Sequence, residues 1–181
     1  MPQTMPASIY FGRICWNTFS WQHPSGKPKG ESKSHAAAHG FGYDEWLGRT
    51  EWLSKDGFRY GFLQPYRKKK TGFIVPVVNL FTIEQQPRGI KRQRLLVGRL
   101  VNCEKLSDQE AQSAFLEFER WGWLKTMQRE VSKVGLSAKI TSEPIDILNV
   151  RHPGATCYPL GRRWDDKEEE NSGRQKGREY K

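Results

Sequence analysis

Eight consecutive residues, His39-Gly40-Phe41-Gly42-Tyr43-Asp44-Glu45-Trp46, set three aromatic rings, an imidazole and two carboxylates close together, with glycines between them. Ile14-Cys15-Trp16-Asn17 and Trp21 precede them, and Tyr60-Gly61-Phe62-Leu63-Gln64-Pro65 follows. Ring faces stack on any flat heterocycle, for about 1–3 kcal/mol per nucleobase. Asn and Gln amides present donor and acceptor together, and a carboxylate accepts from an exocyclic amine. Trp16, Trp21, Tyr43, Trp46, Tyr60 and Phe62 are therefore candidate walls, and Asn17, His39, Asp44, Glu45 and Gln64 candidate edge readers. Together they would suit a single base taken out of its stack. Each ring equally suits packing in a small core, so the expectation concerns the group.

Other chemistries find less support. Cys15, His39 and Asp44 have the residue types of nucleophile, base and orienter, but no known motif arranges them. The three cysteines, Cys15, Cys103 and Cys157, are far apart and give neither a disulfide framework nor a CxxC metal site. No P-loop and no GxGxxG occurs. The expectation is a binding module with no cofactor and no metal, rather than an enzyme. A small nucleotide-acting enzyme using Cys15 or His39 is the alternative. No apolar run reaches a membrane span and no signal peptide opens the chain, so a cytoplasmic location is expected.

The formal charge is +10 over 181 residues. A balance this basic favours an anionic partner, nucleic acid first. Three clusters beside Gly or Pro turns are candidate phosphate contacts: Lys27, Lys29 and Lys33; Arg67, Lys68, Lys69 and Lys70; and Arg88, Lys91, Arg92 and Arg94. Such contacts would hold a nucleic-acid backbone without reading its sequence.

Strands are expected near residues 8–16, 58–63, 72–83 and 95–106, with a basic hairpin connection over 85–93 and a bulge at Gly98. The run Gln22–His35 reads as a loop, followed by a short helical turn at Ala36–Ala38. Ser107 and Glu110 form a capping box. Behind them Ala111, Ala114, Phe115, Phe118, Trp121 and Leu124 recur at helical spacing, which predicts one helix to about Gly135, kinked near Gly122 and covering one end of the sheet. Further strand-like pieces fall at 138–140 and 145–150. The order implies an α+β fold, a small curved sheet or pseudobarrel with flanking helices. Residues 1–161 form the domain, and 162–181, charged and almost without apolar residues, read as a disordered tail or linker.

The segments ICWN (14–17), HGFGYDEW (39–46), YGFLQP (60–65) and LLVGRLVNCEKL (95–106), with a WGWL-bearing helix after them, resemble the reader domains at the N-terminus of HNH-type modification-dependent restriction endonucleases. Those readers are similar to the EVE, YTH and PUA-like group, and the resemblance covers most of residues 8–136. It implies a pseudobarrel whose aromatic cage takes in a base of the methylated cytosine or adenine class, flipped from double-stranded DNA. Carried over, Trp16, Asn17, Trp46 and Tyr60 would form the cage, with His39 and Tyr43 beside it. The opening strand lacks the lysine-containing pattern of EVE domains, and no HNH pattern follows residue 136. Any nuclease would thus be a separate domain or subunit. The same fold could instead read a modified single-stranded RNA.

Overall fold

The computed structural model describes residues 9–26, 35–84, 93–137, 139–140 and 143–157. Its longest pairing joins β3 (Ile74–Ile83) to β4 (Arg94–Lys105), antiparallel from Ile74 opposite Glu104 to Ile83 opposite Arg94. Both segments are rich in Val and Leu, with Ile in β3, as largely buried strands require. Leu80 faces Gly98 but Phe81 faces Leu96, so Val97 is an extra residue and the expected bulge sits beside Gly98. The basic connection at 85–92 lies outside the described residues, as do residues 1–8 and 158–181.

β1 (Ile9–Arg13) runs parallel to β3, with Ile9 opposite Val77. A parallel neighbour needs a long connection, and the aromatic segments of the candidate site lie on that connection. The other edge of β4 is shared. Gly98–Val101 pairs with β6 (Gly154–Cys157), and Glu104–Lys105 pairs with β5 (Val150–His152). β5 then pairs with β2 (Arg59–Gly61). The result is a six-stranded mixed sheet, ordered β1-β3-β4-β5-β2 with β6 beside β4. It is an open sheet: the α+β expectation holds, and closure into a barrel does not occur.

The capping box forms as read. Ser107 Oγ accepts from the Glu110 N–H at 3.2 Å, and the Glu110 carboxylate accepts from the Ser107 N–H at 2.8 Å. Two helices follow instead of one kinked helix. Gly122 adopts φ +73°, a left-handed conformation that stops α2 (Asp108–Arg120) before α3 (Trp123–Lys133) begins. Trp121 therefore leaves the apolar stripe and is 52 % exposed. Pro144 opens a short helix, α4 (Pro144–Ile147), where a strand was expected; proline suits a first helical position. Residues 139–140 form no strand. The Ala36–Ala38 turn is real, within α1 (His35–His39). Single 3-10 turns occur at Tyr43–Trp46 and Gln64–Tyr66. No helix among the described residues is long and apolar enough to cross a membrane.

Two cores result. The first packs Ile14, Trp21, Leu63 and Tyr66 against Val78, Leu80, Val97 and Leu100 of the sheet. The second joins Phe41, Tyr43, Trp46 and Trp52 to Ala114 and Phe118 of α2, Met127 and Val131 of α3, and Ile147. The helices thus cover the aromatic segment, and not one end of the sheet as the stripe had suggested.

Candidate nucleic-acid interface

After β1 the chain turns back on itself through Ser20 (φ 53°) and Trp21 (φ 55°), two left-handed residues that are not glycine. Each such residue costs roughly 1–2 kcal/mol. Asn17 holds the turn: its Oδ1 accepts from the N–H groups of Phe19 and Trp21 at 2.6 and 3.0 Å. Its Nδ2 donates to the His23 carbonyl and to Glu45 Oε1, both at 2.8 Å. Asn17 is 0 % exposed, so an amide expected to read a base edge has all its hydrogen bonds inside the fold. Trp21, expected as a pocket wall, is 1 % exposed and its indole N–H donates to the Cys15 carbonyl at 2.9 Å. Both residues brace the loop.

The carboxylates behave alike. Glu45 is fully buried and accepts from Asn17, from Ser25 N–H at 3.2 Å and from Gly42 N–H at 3.0 Å. Asp44 accepts from the Cys15 N–H at 2.7 Å, which ties the end of β1 to the 3-10 turn. Trp46 is buried, and its indole N–H donates to Glu130 at 2.7 Å; the same carboxylate pairs with Arg49. Asp44 and Trp46 thus join these residues in holding α3 and the loop to the turn. Polar and aromatic types that read as ligand contacts are here the internal frame of the site.

The frame leaves no spare room at Gly48. Its N–H donates to the Trp21 carbonyl at 2.7 Å, and a Cβ there would meet the backbone oxygen of Ser20. Because backbone cannot rotate away, Gly48→Ala should destabilise the protein by about 2 kcal/mol in urea titration, through overpacking. An unchanged midpoint would show that the Ser20–Trp21 turn yields.

The rings that do meet near the surface are His35, His39, Tyr43 and Phe62. Tyr43 and Phe62 lie edge to face at 6.3 Å, and His35 approaches His39 at 4.4 Å and Tyr43 at 4.9 Å. Both histidines are exposed, Phe62 is half-buried and Tyr43 is buried. These rings touch one another, so a flat ligand would rest on their outer faces and not between them. Asn149 fixes the approach of Phe62, binding the adjacent Leu63 N–H and carbonyl at 2.8 and 3.0 Å as a strand neighbour would. The remaining candidates make other contacts. Trp16 is half-buried against the sheet core. Tyr60 donates its hydroxyl to Asp56 at 2.5 Å; burial, and then that carboxylate, raise its pKa. Gln64 is exposed at the start of its 3-10 turn.

Arg67 acts on this cluster through His35. The pKa of His35 is lowered first by partial burial of its ring against the neighbouring aromatics and next by His39, while the Phe41 carbonyl and Asp146 raise it and Arg67 lowers it. Arg67 is ion-paired with Asp146 at 2.8 Å. Lys69 lies over the rings of Tyr10 and Phe73, 5.1 and 4.8 Å from their centres, while Lys68 and Lys70 are exposed. Arg94 is exposed beside Phe81. Lys27, Lys29, Lys33, Arg88, Lys91 and Arg92 lie outside the described residues. His35 and Asn149 escaped the sequence reading. The signal for His35 was its spacing of one helical turn from His39; Asn149 gave none.

No family model, curated protein or solved structure matches the chain.

Proposed function

We propose that this chain is a nucleic-acid-binding module that recognises a modified base, of the methylated cytosine or adenine class, in double-stranded DNA. It has no catalytic part in this reading. A nuclease domain or subunit would act on the DNA so marked, in restriction of modified foreign DNA. The observation that carries the reading is the cluster of His35, His39, Tyr43 and Phe62 with Arg67 close enough to act on the His35 ring. The exposed His35 and His39 rings adjoin the buried Tyr43 ring, and Arg67, which acts on His35, opens a basic run, on a chain with formal charge +10. The sequence resemblance supplies the modified base and its flipping. The flipped base stacks on the outer ring faces while the basic turn holds the flanking phosphates.

Fluorescence anisotropy with duplexes that differ only in one methylated base tests this. The modified duplex should bind at least about tenfold tighter. Equal affinities would remove the base-reading function, and RNA of the same sequence outcompeting DNA would move the reading to RNA. The basic turn gives a second expectation. Lys68→Gln and Lys70→Gln should each weaken binding to both duplexes alike, and each should lower the slope of log affinity against log salt by about 1. A slope that stays constant would place the DNA elsewhere.

A further inference from the structure

A second ring assembly packs on the same core as this cluster. Trp52 and Trp123 stack at 5.5 Å with planes 11° apart, and Trp123 and Trp121 stack at 5.9 Å and 19°. The Arg49 guanidinium closes one end, 4.6 Å from the Trp52 centre. Phe118 buttresses the column edge-on, meeting Trp123 at 4.9 Å and Trp52 at 5.6 Å. The other end is open: Trp121 is 52 % exposed, whereas Trp52 is 7 % exposed.

A lone exposed tryptophan would merely lose its contact with water when covered. Here the ring is already held parallel to a fixed neighbour, so a further flat ring can extend the column with little loss of side-chain freedom. The flanks suit a phosphate-bearing ligand. Arg120 and Lys125 are exposed and flank Trp121 and Trp123 in sequence, with the exposed Glu119 before them. Glu117 is already engaged by Ser54 and the Lys55 N–H, and Glu130 by Arg49 and Trp46.

We infer that Trp121 is a stacking platform for an unpaired base of a single-stranded nucleic-acid segment, with Arg120 and Lys125 meeting its phosphates. The inference rests on nucleic acid being the partner, but not on which base is modified. The platform gives affinity without sequence preference, since every base has a stacking face.

The test uses the full chain, a single-stranded oligothymidylate about 12 nucleotides long, and the matched modified and unmodified duplexes bearing single-stranded ends. Trp121→Ala should weaken the oligothymidylate by about tenfold and Trp121→Phe by about threefold, with melting temperature lowered by no more than about 4 °C because only the stack on Trp123 is lost. The fluorine signal of 5-fluorotryptophan at position 121, identified by its loss in Trp121→Phe, should shift on titration. The ratio of modified to unmodified duplex affinity should stay as in the parent. Trp121→Ala binding within about twofold of the parent, in a protein that still discriminates the modified duplex, would overturn the platform and leave the base-reading function standing. A parent that does not discriminate, yet loses oligothymidylate affinity with Trp121→Ala, would do the reverse. A Trp121 signal that responds to protein concentration alone assigns the ring to self-association and overturns the platform. A parent that binds none of these nucleic acids overturns both.

Discussion

Replacing Glu45 by alanine is expected to destabilise the protein by roughly 3–5 kcal/mol, because several buried donors lose their acceptor at about 1–3 kcal/mol each. The carboxylate serves three segments at once. It accepts from Asn17 in the loop after β1, from Ser25 at the end of that loop, and from Gly42 at the head of its own 3-10 turn. Alanine would strand the Asn17 amide and two backbone N–H groups away from water. Glu45→Gln keeps one acceptor oxygen but sets an amide donor against a donor, and should cost about half as much. Asn17→Ala removes the same link from the other side and also frees the left-handed pair Ser20 and Trp21. The double variant should therefore cost less than the two single losses added, by at least about 1 kcal/mol. Guanidinium unfolding of the four proteins measures this. Strict additivity would show that Asn17 and Glu45 act separately. DNA affinity, measured where all variants remain folded, should change little, because neither side chain reaches the surface.

That expectation marks where sequence reading met its limit. The β3–β4 pairing, the bulge beside Gly98 and the Ser107 cap were legible because apolar runs on either side of a turn signal, a misplaced glycine and a capping box are local patterns. The roles of Asn17, Trp21, Asp44 and Trp46 were not. A polar side chain between aromatic residues has the same one-letter signature whether it faces a ligand or closes an internal network. Only burial decides between the two, and burial here depends on a parallel β1–β3 pairing that places the whole aromatic segment inside a crossover. Gly122 was visible as an interruption, but a kink and a complete break have the same sequence. The break is what turns Trp121 outward. Asn149 could not be found locally, since its partner is Leu63, 86 residues away.

Acid should unfold the protein through His152. Burial, and then the Arg59 guanidinium, hold its pKa down at about 4, with the Gly154 backbone acting in the opposite direction. In the unfolded chain a histidine takes up its proton near pH 6.5. Between those values the unfolded state binds a proton that the folded state refuses, so stability present above pH 6.5 falls as pH drops and levels off below about 4. The full loss is on the order of 3 kcal/mol, with a slope approaching about 1.4 kcal/mol per pH unit in mid-window. His35, also lowered, adds to the slope in the same direction. Glu110, lowered chiefly by the backbone N–H of Ser107, contributes stability that is lost only below its ordinary value of 4.5, so it enters at the acid end. His152→Leu, close in volume, should flatten the curve to what His35 leaves. Parent and variant curves that remain parallel would exclude His152 as the cause. The position gives the effect a functional reach. His152 pairs with Arg59 across β5 and β2, and β5 is the strand joining β2 to β4. Charging His152 forces apart the link that holds Tyr60 and, just beyond it, Phe62. Binding of the modified duplex should therefore vanish with the same acid midpoint as the fold, and His152→Leu should carry both midpoints downward together.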